Sequence, residues 1–188
     1  MASAFRSSLP RTSSECRSHT EHYTVKTYAL DTNCFIDAVN ETHHSYEALQ
    51  RIFGAAERGQ VSLKVSLHTL HELEGKKDEA WKLAKTLPVL PHWPIGTWAD
   101  QVATWSELEG TWSDMERNDQ IQLQLKEIAK SGTDIRDRGS YIDALCNGSD
   151  GFVTSDRQLV GSVPCERINN QFPTKVLTPE QLVEELCR

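Results

Sequence analysis

Four carboxylates in this chain stand where an open α/β sheet could gather them. Asp31 closes the apolar run of YALDTNCFID, Glu72 lies in VSLHTLHELE, Asp137 in DIRDRGSYIDAL, and Asp156 closes that of GFVTSDRQL. Residues at the carboxyl ends of parallel strands share one edge of the sheet, where such folds place their sites. Four negative charges at one point repel one another, and a divalent cation relieves that repulsion. An all-oxygen donor set suits Mg²⁺ or Mn²⁺. Metals held this way act on phosphate esters. The chemistry these residues point to is metal-dependent nucleic-acid hydrolysis.

Each acid has a plainer use beside the catalytic one. Asp31 and Asp156 each precede a helical stretch and would serve as N-caps, which does not prevent them from holding a metal. Glu72 competes with Glu74, but Glu74 runs into the charged GKKDE and reads as exposed helix surface. Asp137 competes with Asp134 and Asp143. On a helix, Asp137, Tyr141 and Ala144 share a face, while Asp143 points about 120° away. Asp37 lies one turn after Asn33 and would be a peripheral ligand; Asp150 belongs to a turn. The segment HTLHE holds His68 and His71 but lacks the HExxH zinc order, so these histidines read as surface or supporting groups.

Strand and helix signals alternate along the chain that must position these groups. TVKTYAL (24–30), VSLKVSL (61–67) and GFVTS (151–155) read as buried strands, and CERIN (165–169) and TKVLT (174–178) as edge strands. Phe35, Ile36, Val39, Leu49, Ile52 and Phe53 recur at helical spacing, with a break near Thr42–Ser45 and a stop at Gly59. HTLHELEGKKDEAWKLAKTL reads as helix until Pro88, and PVLPHWPIGTW as loop. Helical composition returns from Ala99 to Lys130. RDRGSYIDALCNG is a short helix capped by Gly148, and RQLVG a helical turn. A last helix starts with Thr178 at its N-cap and Pro179 at N1. This alternation predicts an α/β fold with helices on both faces of a mostly parallel sheet.

The bulk numbers agree with one such domain. The chain has 188 residues, 38% of them hydrophobic, and a mean hydropathy of −0.52. No apolar stretch approaches the roughly 18–20 residues that span a bilayer. The five cysteines, Cys16, Cys34, Cys146, Cys165 and Cys187, include no CxxC pair, so reduced thiols and a cytoplasmic setting are expected. A net charge of −7 argues against a protein that coats nucleic acid, which would be basic. Residues 1–22 are Ser-rich and mildly basic and read as a flexible tail or a transit peptide; 23–188 would form the domain. Within it, a segment at about 88–131 is Trp-rich, with Trp98, Trp105 and Trp112 every seven residues. Such a stripe packs a core, or if exposed stacks bases or pairs two copies of the chain. Lys76, Lys77, Lys82 and Lys85 form a basic cluster, read as solvated surface with a phosphate contact as its alternative.

Taken together, the blocks LDTNCFID, LHEL and Asp137 followed by YIDALCNGSDGFVTSD resemble the PIN-domain nucleases, which include the VapC-type ribonuclease toxins. The resemblance covers about residues 25–178, and its last block is the most specific. Counting back from Gly148 in that pattern selects Asp137 over its neighbours. The resemblance implies a three-layer α/β/α fold around a mostly parallel five-stranded sheet, and one or two Mg²⁺ or Mn²⁺ ions held by Asp31, Glu72, Asp137 and Asp156. It further implies that Asn33 orients Asp31 or touches phosphate, and that Thr154 orients Asp156. The implied activity is endonucleolytic cleavage of RNA, single-stranded by expectation. Its setting would be a toxin silenced by an antitoxin, or an RNA-processing nuclease without such a partner. The segment between Glu72 and Asp137 is longer than in compact VapC-type toxins and rich in Trp, and the N-terminal tail is extra; both weaken the toxin assignment more than the fold assignment. A different class is a catalytically weak PIN scaffold that binds RNA or protein, although four uncompensated acids would be costly there. An aspartyl phosphatase wants a second Asp two residues after the first, where this chain has Asn33.

Overall fold

The structure is a computed structural model and describes residues 24–75, 78–92, 116, 120, 121, 123–125, 135–160 and 163–188. The tail assigned to 1–22, the tryptophans at 98, 105 and 112, and Lys76 and Lys77 lie outside the described residues. Among the described residues, four strands form one parallel sheet: β1 (Lys26–Leu30), β2 (Val61–Val65), β3 (Gly151–Val153) and β4 (Lys175–Leu177), in the order β2-β1-β3-β4. Parallel neighbours need crossover connections. Helices α1 (Thr32–Ala38) and α2 (Tyr46–Glu57) lie between β1 and β2 in the chain. Between β2 and β3 come α3 (Leu67–Leu73), α4 (Asp78–Ala84) and α5 (Ile135–Cys146). Helices α6 (Arg157–Val160) and α7 (Val163–Gln171) precede β4, and α8 (Pro179–Leu186) follows it.

Side chains alternate across the sheet and build two cores, one on each face. Tyr28 and Leu30 of β1 join Phe35, Leu49, Ile52, Leu73 and Leu182 on one side. Ala29 of the same strand joins Tyr141, Ile142, Phe152, Ile168 and Phe172 on the other. Period-two alternation on a pleated strand produces this split. Each large side chain fully withdrawn from water, such as Phe35 or Ile142, contributes roughly 1.5–3 kcal/mol.

The sheet differs from the expected five strands in one place. CERIN (165–169) belongs to α7 rather than to an edge strand, and its buried side chains are Cys165 and Ile168, followed by Phe172. Those spacings of three and four are helical. Among the described residues, an isolated parallel bridge beyond β2 joins Val65 and Val89. Val65 N–H donates to the Pro88 carbonyl (3.1 Å) and Leu90 N–H to the Val65 carbonyl (2.8 Å).

Local signals set the element ends. The break expected near Thr42–Ser45 falls at 39–45 and separates α1 from α2. Gly59, with φ 71°, follows the end of α2 in a conformation that other residues avoid. The helix expected to run to Pro88 is likewise divided, into α3 and α4. Thr178 caps α8 through a full capping box with Gln181. Among the described residues no helix is long and apolar enough to cross a membrane.

Candidate functional site

Two β-to-α turns meet at the carboxyl edge of the sheet. β1 ends at Leu30 and β3 at Val153, and these residues are paired neighbours. Asp31 and Thr154 therefore leave adjacent strands at the same level. The Asp31 N–H donates to the Val153 carbonyl (2.9 Å), carrying the pairing one step past β1. Asp31 has extended backbone and caps α1, its Oδ1 accepting from Thr32 N–H at 2.7 Å. Its Oδ2 accepts from the Thr154 hydroxyl at 2.8 Å. That hydroxyl in turn accepts the Asp156 N–H at 3.1 Å. Asp31 is only 4% exposed and Thr154 is fully buried.

Neighbouring groups tie the same two turns together. Ser155 donates its hydroxyl to Asp37 Oδ2, an unusually close pair. Asp37 also lies 3.5 Å from His43 Nδ1. Thr32, the first residue of α1, donates its hydroxyl to Glu72 Oε2 at 2.5 Å. Thr32 thus touches Asp31 through its amide and Glu72 through its side chain. Glu72 is half-buried on α3, whereas Glu74 caps the end of that helix and is exposed. Burial, followed by the charges of Asp31 and Asp37, pushes the Cys34 thiol well above its ordinary range. A protonated Cys34 donates to the Val153 carbonyl at 3.2 Å.

The other expected site residues fall as follows. Asn33 is exposed on the first turn of α1. Asp137 belongs to α5, but its side chain lies outside what the structure describes. Lys82 and Lys85 are exposed on or just after α4, and Lys85 Nζ sits 4.2 Å above the Trp81 ring. Asp31, Glu72 and Asp156 are all anchored at this edge, yet none of them belongs to the group of side chains that lies within metal-holding distance among the described residues.

That group is His68, His92 and Asp143, whose ligand atoms all lie within 4.8 Å of one another. Of the two roles expected for His68, surface or supporting, burial removes the first: His68 is buried, as are His92 and Asp143. His92 Nδ1 lies 3.2 Å from Asp143 Oδ2. The rings of His68 and His92 stand edge to face, 5.0 Å between centres. The signal that could have found Asp143 was its place on the inner face of α5, between buried Ile142 and Ala144. His92 had only its position after the Val89 bridge. No protein-family model, curated protein or solved structure matches the chain.

Proposed function

We propose that the protein is a metal-dependent ribonuclease with a PIN-like α/β/α fold, acting through Asp31, Glu72, Asp137 and Asp156. One observation carries this reading. A single buried hydroxyl, that of Thr154, joins the Asp31 carboxylate to the Asp156 backbone across two adjacent parallel strand ends. Open α/β sheets put their reactive groups at such an edge. The donors there are oxygens, and a hard divalent ion such as Mg²⁺ or Mn²⁺ suits them. When bound, such an ion polarises a phosphoryl oxygen and supplies a water-derived nucleophile.

The chain's own groups have separate tasks in this reading. Asp31 is held rigidly, one oxygen by the helix it caps and the other by Thr154. That fixes a ligand's direction before any substrate arrives. Thr32 keeps Glu72 beside that turn. Asp156 and Asp137 would complete the acidic set from β3's end and from α5. Exposed Asn33, two residues after Asp31, is suited to touch a substrate phosphate or an RNA 2′-hydroxyl. The setting, toxin or RNA-processing enzyme, follows from what the protein cleaves.

Cleavage of labelled single-stranded RNA and DNA tests this directly. Wild-type protein should cut RNA with Mn²⁺ or Mg²⁺ and stop with EDTA. Asp31→Asn should retain the fold by circular dichroism and lose at least about 100-fold in rate, since it removes a charged group from the reacting centre. No cleavage of either polymer under any metal would move the protein to the non-catalytic scaffold class.

A further inference from the structure

We propose that His68, His92 and Asp143 form a separate metal site, for a borderline divalent cation such as Zn²⁺. The proposal stands whether or not the carboxylate edge is a nuclease site.

The donor set differs in kind from that edge. Two imidazole nitrogens and one carboxylate oxygen suit Zn²⁺ or Co²⁺, whereas Mg²⁺ prefers oxygens and retained waters. The spacing is also suitable. Ligands about 2.0–2.1 Å from a tetrahedral zinc lie roughly 3.3 Å apart, and His92 Nδ1 is 3.2 Å from Asp143 Oδ2. The third donor is within 4.8 Å of both. Burial adds to the case. All three side chains are buried, so a cation held by them would be shielded from bulk water.

Three elements far apart in the chain are held in place to make this group. The Ser66 hydroxyl, which caps α3, donates to Ser140 Oγ of α5 at 2.9 Å. That contact sets α3 against α5. His68 then lies flat on Gly139, where a Cβ would come within 2.5 Å of its Nε2. Only glycine leaves room for the imidazole there. The His92 segment is fixed from both sides. Leu90 pairs with Val65, and the Asn147 amide donates to both the Pro91 carbonyl (2.8 Å) and the Asp143 carbonyl (2.7 Å). A bound cation would therefore cross-link α3, α5 and the strand-edge segment. Because α5 also carries Asp137, it would hold that helix in register with the acidic edge. Three protein ligands leave a fourth position on the metal.

The test uses the full chain, stripped with chelator and dialysed into excess Mg²⁺ so that oxygen-only sites are filled. Co²⁺ and Zn²⁺ are then titrated, with bound metal counted by mass spectrometry and Co²⁺ read by its visible absorption. Wild type and Asp31→Asn should each take up one Co²⁺ per chain with a tetrahedral spectrum, and Zn²⁺ should displace it. Asp143→Asn and His92→Gln should weaken uptake by at least about tenfold, since even groups that only support ligands cost that much. X-ray absorption on the Zn²⁺-loaded wild type should report two imidazole nitrogens, a reading independent of whether any variant folds. No uptake by the wild type would overturn the site, as would an oxygen-only shell. So would uptake lost in Asp31→Asn but kept in Asp143→Asn.

Discussion

Thr154 is the smallest group on which the candidate site depends. Its hydroxyl donates to Asp31 and accepts from the Asp156 backbone, all inside a fully buried position. Thr154→Val keeps the shape and deletes both bonds. Stability should fall by about 1–3 kcal/mol, the cost of stranding buried polar partners. Metal-dependent cleavage should fall roughly 10–100-fold, as when a ligand's supporting group is lost. Thr154→Ser should recover most of both, read by urea unfolding and by the RNA assay. A variant that loses stability but cleaves normally would leave Thr154 a structural role only. Asp31 and Asp156 were legible in the sequence because their places follow from the strands they terminate. The link made by Thr32 was not, since its partner Glu72 is forty positions away. His92 and Asp143 are fifty-one apart and sit on elements whose relation only tertiary packing fixes.

At the scale of elements, periodicity was informative where it was long and misleading where it was short. β1, β2, β3 and β4 all fall inside the runs read as strands, because β-branched and aromatic residues alternate there. CERIN was too short to separate a period of two from one of three to four; Phe172 beyond it completes the helical spacing. The packing of α3 on α5 is the element contact with the sharpest consequence. In an ordinary helix interior, alanine in place of glycine is stabilising by about 1 kcal/mol. At Gly139 the new Cβ would meet the His68 ring at 2.5–2.8 Å, so Gly139→Ala should instead destabilise by about 1–3 kcal/mol. The same change made in a His68→Ala background should turn neutral or stabilising. Thermal melts of the four proteins measure that coupling. A Gly139→Ala penalty unchanged by His68→Ala would mean that the helices do not pack through this contact.

Across the whole molecule, two buried tyrosines tie the outer layers to the sheet. The Tyr28 hydroxyl on β1 donates to Glu185 of α8 at 3.3 Å. The Tyr141 hydroxyl on α5 donates to the Thr174 carbonyl at 2.9 Å, just before β4. Burial pushes both phenols above their ordinary range, and the Glu185 charge adds to the effect at Tyr28. The unfolded chain releases these protons near pH 10, while the folded chain still holds them. Their contribution is therefore complete below about pH 10 and is lost as pH rises through the folded values, by up to about 1.4 kcal/mol per pH unit for each group. Substitution isolates the two phenols from every other ionisation of the chain. Denaturant unfolding from pH 8 upward should show a steep alkaline fall in the wild type and a shallower one in Tyr28→Phe with Tyr141→Phe. Phenylalanine keeps the apolar ring in each core and removes the proton that couples stability to pH. The double variant should start less stable near neutral pH, having lost two hydrogen bonds, and the gap should narrow as pH rises. A gap that stays constant would mean that the buried hydroxyls do not set the alkaline limit of the fold.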